Sequence, residues 1–292
     1  MRFFALLALA GCVHFQEGPV DYGKPAAEFA ILRGRRVHFV DRGKGPRTVV
    51  LVHGYGASKA SFEELIDRLA PELRVIALDL PGFGFSDRYP GDYSPEALAD
   101  DLAALLDARG VQRASVLGHS WGASIALAFA LRHPDRLDKL VLMSAWCYTD
   151  QLTPFFDWVQ VPGLGEMIMT LFYPQRTGDK LALNFAHPEK FVTAERVDKV
   201  EENLARPGAL ATLLAAARGM SHFAELEPQY PKIATDTLLV WGQEDRVALL
   251  PFGERLAHEL PHARLVVIGD CGHIPEIECP EPTAHAIGDF LK

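Results

Sequence analysis

Ser120 is the residue from which a chemical reading of this chain starts. It sits at the centre of Gly118-His119-Ser120-Trp121-Gly122, between an apolar run, Ala114-Ser115-Val116-Leu117, and a helical pattern from Ala123 to Leu131. A strand that turns into a helix within one residue forces the apex residue into a strained backbone. Small neighbours on both sides relieve the crowding, and the apex side chain stands clear of the sheet. A serine hydroxyl is a weak nucleophile at neutral pH. It needs a base within hydrogen-bond reach and a third group to orient that base.

Two polar loops can supply those partners. After the apolar run Thr237 to Trp241 comes Gly242-Gln243-Glu244-Asp245-Arg246-Val247. After Arg264 to Ile268 comes Gly269-Asp270-Cys271-Gly272-His273-Ile274-Pro275. Both follow strands, at the edge where open α/β sheets place their sites. His273 is the candidate base and Asp245 the candidate acid. Spacing alone leaves Glu244 open as the acid, and Asp150, after the preceding strand, is a further candidate. Asp270 is read as a loop stabiliser, and His53 and His119 as packing and hydrogen-bonding groups. His222 could touch a substrate and is read as a solvated histidine.

The elements that position these residues alternate along the chain. Glu28 to Leu32 and Arg36 to Val40 flank Arg33-Gly34 as an antiparallel hairpin. Thr48 to Val52 is a continuous β-branched run, the pattern of a strand buried on both faces. Arg74 to Leu78, Leu137 to Ser144, Thr237 to Trp241 and Arg264 to Ile268 are further strands. Between them lie a helix with Phe62, Leu65, Ile66 and Leu69 on one face and another begun by Ser94-Pro95-Glu96, an N-cap followed by proline at the first helical position. This alternation predicts a doubly wound, mostly parallel α/β sheet. One stretch breaks it. From Trp146 to about Glu225 only helical patterns occur, carried by Leu164 to Phe172, Val197 to Leu204 and Leu210 to Ala217. An all-helical insertion between two strands is read as a cap, with Phe155, Phe156 and Trp158 shared between packing and a pocket lining.

Composition narrows the classes. The 292 residues are 49% hydrophobic and carry a formal net charge of -9, which argues against binding nucleic acid or an anionic membrane through charge. The four cysteines, Cys12, Cys147, Cys271 and Cys279, match no zinc or C-x-x-C spacing. A Cys271–Cys279 bridge is conceivable in an oxidising compartment, but unpaired buried thiols are the expected state. Gly82-Phe83-Gly84 lacks the third glycine of a dinucleotide fingerprint, and there is no phosphate-loop or H-E-x-x-H pattern. The sequence therefore calls for no cofactor and no metal.

At the N-terminus, Met1-Arg2 precedes the short apolar run Phe3 to Ala10, too short to span a bilayer. Leu9-Ala10-Gly11-Cys12 follows and resembles the lipobox of bacterial lipoproteins. That resemblance implies lipidation at Cys12, a lipid anchor to the membrane and a place in the bacterial cell envelope, with Val13 favouring the outer membrane. A soluble secreted or periplasmic protein is the alternative. The segment after Cys12 has no periodicity and is read as a tether. The organisation expected is thus residues 1–12 as signal and lipobox, 13–28 as tether, 29–145 as core, 146–225 as helical cap and 226–292 as the rest of the core.

Taken together, His53-Gly54-Tyr55-Gly56, Asp79 to Asp87, the Ser120 turn, Trp241-Gly242-Gln243-Glu244-Asp245 and Gly272-His273-Ile274-Pro275-Glu276 resemble the α/β-hydrolase superfamily, in its capped branch. The resemblance runs from about Phe29 to Lys292. It implies a hydrolase sheet with a helical cap inserted after the sixth strand, and a triad in the order Ser120, Asp245, His273. It also implies backbone N–H groups of Tyr55 and Trp121 that hold an oxyanion. Serine at the apex departs from the carboxylate nucleophile of epoxide hydrolases and dehalogenases. The expected activity is hydrolysis of a small to medium apolar carboxylic ester through an acyl-enzyme on Ser120. The alternatives are a C–C bond hydrolase using the same triad and a non-catalytic ligand-binding protein on the same fold.

Overall fold

In the computed structural model residues 13–292 are described; Cys12 and the apolar run before it lie outside the described residues. Eight strands form one sheet: β1 (Phe29–Leu32), β2 (Arg35–Arg42), β3 (Thr48–Val52), β4 (Arg74–Leu78), β5 (Ala114–His119), β6 (Leu137–Met143), β7 (Thr237–Gly242) and β8 (Ala263–Ile268). Their order is β1-β2-β4-β3-β5-β6-β7-β8. The β1–β2 and β2–β4 pairs are antiparallel, and every later pair is parallel. The architecture is an α/β-hydrolase fold. All six positions of β5 and of β7 are buried, as expected for central parallel strands covered on both faces. Alternation within β3 sorts the two cores: Val50 and Val52 join one, Val49 and Leu51 the other.

Among the described residues the α-helices of six or more residues are α1 (Glu63–Leu69), α2 (Pro95–Ala108), α3 (Trp121–Arg132), α4 (Pro154–Gln160), α5 (Leu164–Leu171), α6 (Thr177–Ala182), α7 (Ala194–Ala205), α8 (Ala209–Gly219), α9 (Leu250–Glu259) and α10 (Pro280–Leu291). Helices α1 and α10 cover one face through Leu65, Leu69, Ile287 and Leu291. Helices α2, α3 and α9 cover the other through Leu98, Leu102, Phe129 and Leu256. The Ser94 cap forms as its sequence predicts, its Oγ accepting from the Ala97 amide at 3.2 Å.

Helices α4 to α8 fill the stretch between β6 and β7. This segment meets the carboxyl edge of the sheet, where the Tyr55 hydroxyl donates to the Leu213 carbonyl at 2.9 Å. The topology reverses at β3, whose neighbours β4 and β5 lie on opposite sides, so the loops after β3 and β5 border the crevice where such sheets hold ligands. No helix among the described residues is long and apolar enough to cross a membrane.

The tether expected before β1 is corrected by the structure: residues 13–28 are laid along the body. The Gln16 amide donates to the Arg88 carbonyl at 2.9 Å, and the Arg88 amide donates back to Gln16 Oε1 at 3.2 Å. Phe15 stacks on Tyr93 with ring centroids 6.2 Å apart, and the Tyr22 hydroxyl accepts from Arg88 Nη1 at 3.0 Å. Phe15, Gln16 and Tyr22 are each held by a separate partner, so the segment is docked without a continuous hydrophobic period.

Candidate active site

The turn between β5 and α3 is built by close approach. A Cβ on Gly118 would lie 2.3 Å from the Gly122 carbonyl oxygen, and one on Gly122 would lie 2.3 Å from that of Val52, so any side chain there collides with backbone. Ser120 has φ +53° and ψ −123°, a conformation an L-residue holds only where its surroundings impose it. Here its peptide groups are all taken. The Ser120 amide donates to the Met143 carbonyl at 2.9 Å, and its carbonyl accepts from Ala123 at 2.9 Å and Trp146 at 3.0 Å.

The hydroxyl so displayed meets His273, with Oγ 3.0 Å from Nε2. His273 Nδ1 lies 2.9 Å from Asp245 Oδ2. Asp245 is itself fixed, since its Oδ1 accepts from the amides of Val247 and Ala248, both at 2.9 Å. Asp245 and His273 are buried, whereas Ser120 keeps partial exposure. The carboxylate bound to Nδ1 puts the imidazole proton on that nitrogen, leaving Nε2 able to accept the serine proton.

The other carboxylates weighed for the acid position are engaged elsewhere. Glu244 accepts from the Cys271 amide at 2.8 Å and donates its own amide to the Cys271 carbonyl at 2.9 Å, which ties the two loops together. Asp150 faces Arg255 at 3.3 Å, and Asp270 meets His187 at 2.6 Å. His53 is buried, with Nε2 accepting from the Leu80 amide at 3.0 Å, and burial pulls its pKa down. His222 lies 3.5 Å from Glu96 and is half-exposed.

Two amides point at no protein acceptor. Among the described residues neither the Tyr55 nor the Trp121 amide donates a hydrogen bond, and Trp121 opens α3, whose N-terminal end carries positive partial charge. Aromatic side chains cluster beside these amides, and Lys180 Nζ lies 4.9 Å from the Tyr173 ring centroid. The Tyr55 ring packs against Trp121 and Tyr173 with centroids 6.1 and 6.3 Å apart. Phe155 in turn meets Tyr173 at 6.1 Å. Burial raises both phenols, Tyr173 to about 12.

Several residues around His273 carry no motif of their own. The His273 amide donates to the Asn184 carbonyl of the inserted segment at 2.8 Å. Glu278 binds the amides of Gly272 at 2.7 Å, Ala186 at 3.0 Å and His187 at 2.8 Å. Asp79 gathers the amides of Lys59 and Phe85 at 2.9 and 3.0 Å together with His38 Nδ1 at 2.8 Å, which explains the Gly82-Phe83-Gly84 turn as structural. The one available signal was the clustering of acids beside His273, which sequence could not orient.

The expectation of unpaired thiols is corrected: Cys271 and Cys279 form a disulfide across the loop that carries His273. Their Cα atoms are 6.2 Å apart, within the range a bridge spans. Cys147 is free and buried, and burial pushes its thiol up.

Behind the imidazole lies a second buried pair. His119 Nε2 is 2.8 Å from the main-chain carbonyl oxygen of His273, and Nδ1 is 3.3 Å from Glu276 Oε1. Burial, and then the neighbouring His273, lower His119 to about 3. Glu276 is fully buried, which raises its carboxyl to about 8.

This geometry has known counterparts. Residues 47–278 match the family model of the alpha/beta hydrolase fold. The chain is 32% identical over 273 residues to a 2-hydroxymuconate semialdehyde hydrolase of Pseudomonas putida, covering 88% of this chain and 91% of that one. Among solved structures it resembles a meta-cleavage product hydrolase from Pseudomonas fluorescens IP01, with a TM-score of 0.77, 27% identity and coverage of 90% and 96%. A membrane phospholipase A described as a bacterial virulence factor superposes with a TM-score of 0.74 and 26% identity, across 99% of this chain and 89% of the other. The serine turn between β5 and α3, the sheet order and these matches agree: the chain belongs to the α/β-hydrolase family.

Proposed function

We propose that the protein hydrolyses a carbonyl compound through an acyl-enzyme on Ser120, and that the bond broken is a C–C bond next to a ketone or aldehyde conjugated to an enol. The observation that carries the reaction type is the hydrogen-bonded line from Ser120 Oγ through His273 to Asp245. His273 takes the serine proton as Oγ adds to the carbonyl carbon, and Asp245 stabilises the imidazolium. The oxyanion is held by the Tyr55 and Trp121 amides, each such donor being worth about 3–4 kcal/mol in the transition state. Collapse expels the carbon leaving group with its electron pair, and the histidine proton passes to it. Water then attacks the acyl group with His273 again as base, giving a carboxylic acid and free Ser120. A carbon leaves in this way only if its charge is delocalised, as from the keto tautomer of such an oxo-enol, a vinylogous diketone in which the enol proton has moved to the carbon beside the scissile bond. The bond choice is supported by relatives of 32–33% identity that are named as hydrolases of such semialdehydes and oxo-dienoates.

A second reading, hydrolysis of a carboxylic ester with an apolar acyl chain, is favoured by a different observation. The aromatic side chains of Tyr55, Trp121 and Tyr173 pack on one another beside the Ser120 turn and suit an apolar chain. Turnover of a 2-hydroxy-6-oxo-dienoate beside that of p-nitrophenyl esters separates the two. Ser120→Ala is expected to lower whichever is turned over by roughly 10⁶-fold. A fluorophosphonate that leaves the wild-type protein unlabelled would show a binding protein instead.

We propose further that the protein is held at the bacterial cell envelope. The Cys271–Cys279 bond suits an oxidising compartment, and the Leu9-Ala10-Gly11-Cys12 sequence suits a lipid anchor on the envelope. Cys12→Ser should then move the protein from the membrane to the soluble fraction of a bacterial host.

A further inference from the structure

We propose that Glu276 is a positioning residue for His273, acting through His119 to hold the imidazole loop over Ser120. The inference rests on the reading of Ser120 as nucleophile and deepens it. A main-chain carbonyl only accepts, so the His119 nitrogen facing the His273 carbonyl at 2.8 Å, Nε2, carries a proton. In the neutral ring Nδ1 is then a bare lone pair, and it faces Glu276 Oε1 at 3.3 Å. An ionised carboxylate would set lone pair against lone pair in a site without water-exposed surface. One proton shared between Oε1 and Nδ1 removes that repulsion.

The surroundings put that proton on the glutamate. Neither Glu276 oxygen nor His119 Nδ1 makes a hydrogen bond among the described residues, so nothing there repays burial of a carboxylate charge, and the two unsatisfied groups face each other across 3.3 Å. A protonated carboxyl turned onto Nδ1 across this gap would satisfy both groups and hold His119 in the tautomer that grips the His273 carbonyl. The carbonyl belongs to the same residue whose ring must stay 3.0 Å from Ser120 Oγ. His119 is also the residue before Ser120, so one side chain braces both halves of the reacting pair.

Other titratable groups on the elements packed here are accounted for. His53 is hydrogen-bonded to the Leu80 amide, and Lys59 gives its amide to Asp79. Asp245 is bound to His273 and to two amides, and Glu278 to three amides. None of these reaches Glu276. Loss of the shared proton in mildly alkaline solution should therefore break the brace and slow the reaction of Ser120 as pH rises.

The rate of Ser120 labelling by a fluorophosphonate, followed from pH 6 to 10, tests this without a known substrate. The wild-type rate is expected to fall with an ionisation near pH 8, the range to which burial lifts Glu276. Glu276→Leu, which keeps the volume and removes the donor, should label about 10- to 100-fold more slowly throughout. Glu276→Gln supplies an N–H toward Nδ1 and cannot ionise, so it should recover rate over the leucine variant and show no alkaline fall. Thermal unfolding of each variant separates a loss of brace from a loss of fold. Leucine and glutamine variants that both label at the wild-type rate with the wild-type pH profile would overturn the proposal. A wild-type protein that never labels would instead overturn the nucleophile itself.

Discussion

At the scale of single residues, the difference between Asp245 and Glu244 is one of direction, not chemistry. Two adjacent carboxylates leave the end of β7, and the turn sends them opposite ways. Asp245 is drawn inward by two amides and presents its second oxygen to His273. Glu244 is drawn along the loop to the Cys271 amide. Asp245→Asn keeps the shape but offers His273 the wrong tautomer, and the rate should fall by about 10⁴-fold. Glu244→Gln keeps an oxygen toward Cys271, and should cost less than about tenfold, through loop geometry alone. Steady-state rates of the two variants, measured together, check this; equal losses would mean that both loops, not one carboxylate, set the imidazole. The order serine, acid, histidine was legible because each follows an apolar run that forms a strand, β5 and β7 buried throughout and β8 carrying Leu265 to Ile268. The choice between neighbours was not, because a turn's amide directions have no signature in residue type.

At the scale of elements, the strands were legible and the inserted helices only partly so. The run Thr48 to Val52 is buried on both sides and so is apolar at almost every position, which no loop imitates. Within the insertion, α5, α7 and α8 carry repeating apolar faces. Helix α6, Thr177–Ala182, is a short helix whose buried residue is Thr177, so periodicity had nothing to report. The disulfide was missed for a similar reason: spacing permits a bridge without requiring one. It closes the loop that holds both His273 and Glu276, with a sequence separation of 8. A closed loop of that length is worth about 2–3 kcal/mol by chain entropy. Replacing both cysteines by alanine should therefore lower Tm by roughly 5 °C and loosen the loop. A melting curve that the substitutions leave unmoved would mean that Glu244 and Glu278 already hold the loop without the bond.

At the scale of the whole molecule, the segment before β1 links parts that the sheet keeps separate. Arg88 follows the Asp79 turn and is buried to 1% exposure, and its guanidinium donates to the carbonyl of Gly84 at 2.6 Å and to the Tyr22 hydroxyl at 3.0 Å. Burial lowers its pKa, a sign that the charge is held in poor solvent. Gln16 covers the Arg88 main chain from outside, and Gly208, at the start of α8, lies so close that a Cβ would come 2.8 Å from both the Gln16 amide nitrogen and Arg88 Cβ. Segment, core and inserted helices thus meet at one arginine. A free tether would contribute nothing to folding, whereas this arrangement makes the segment part of the folded unit. Gln16→Ala leaves the buried Arg88 amide without an acceptor and should cost about 1–3 kcal/mol, a fall in Tm of roughly 2–6 °C. Tyr22→Phe removes one acceptor from the guanidinium while keeping the ring against Phe85, and should cost a comparable amount. Differential scanning calorimetry of the two variants decides the matter, because a segment that merely hangs from the domain would leave both transitions where the wild-type protein has them.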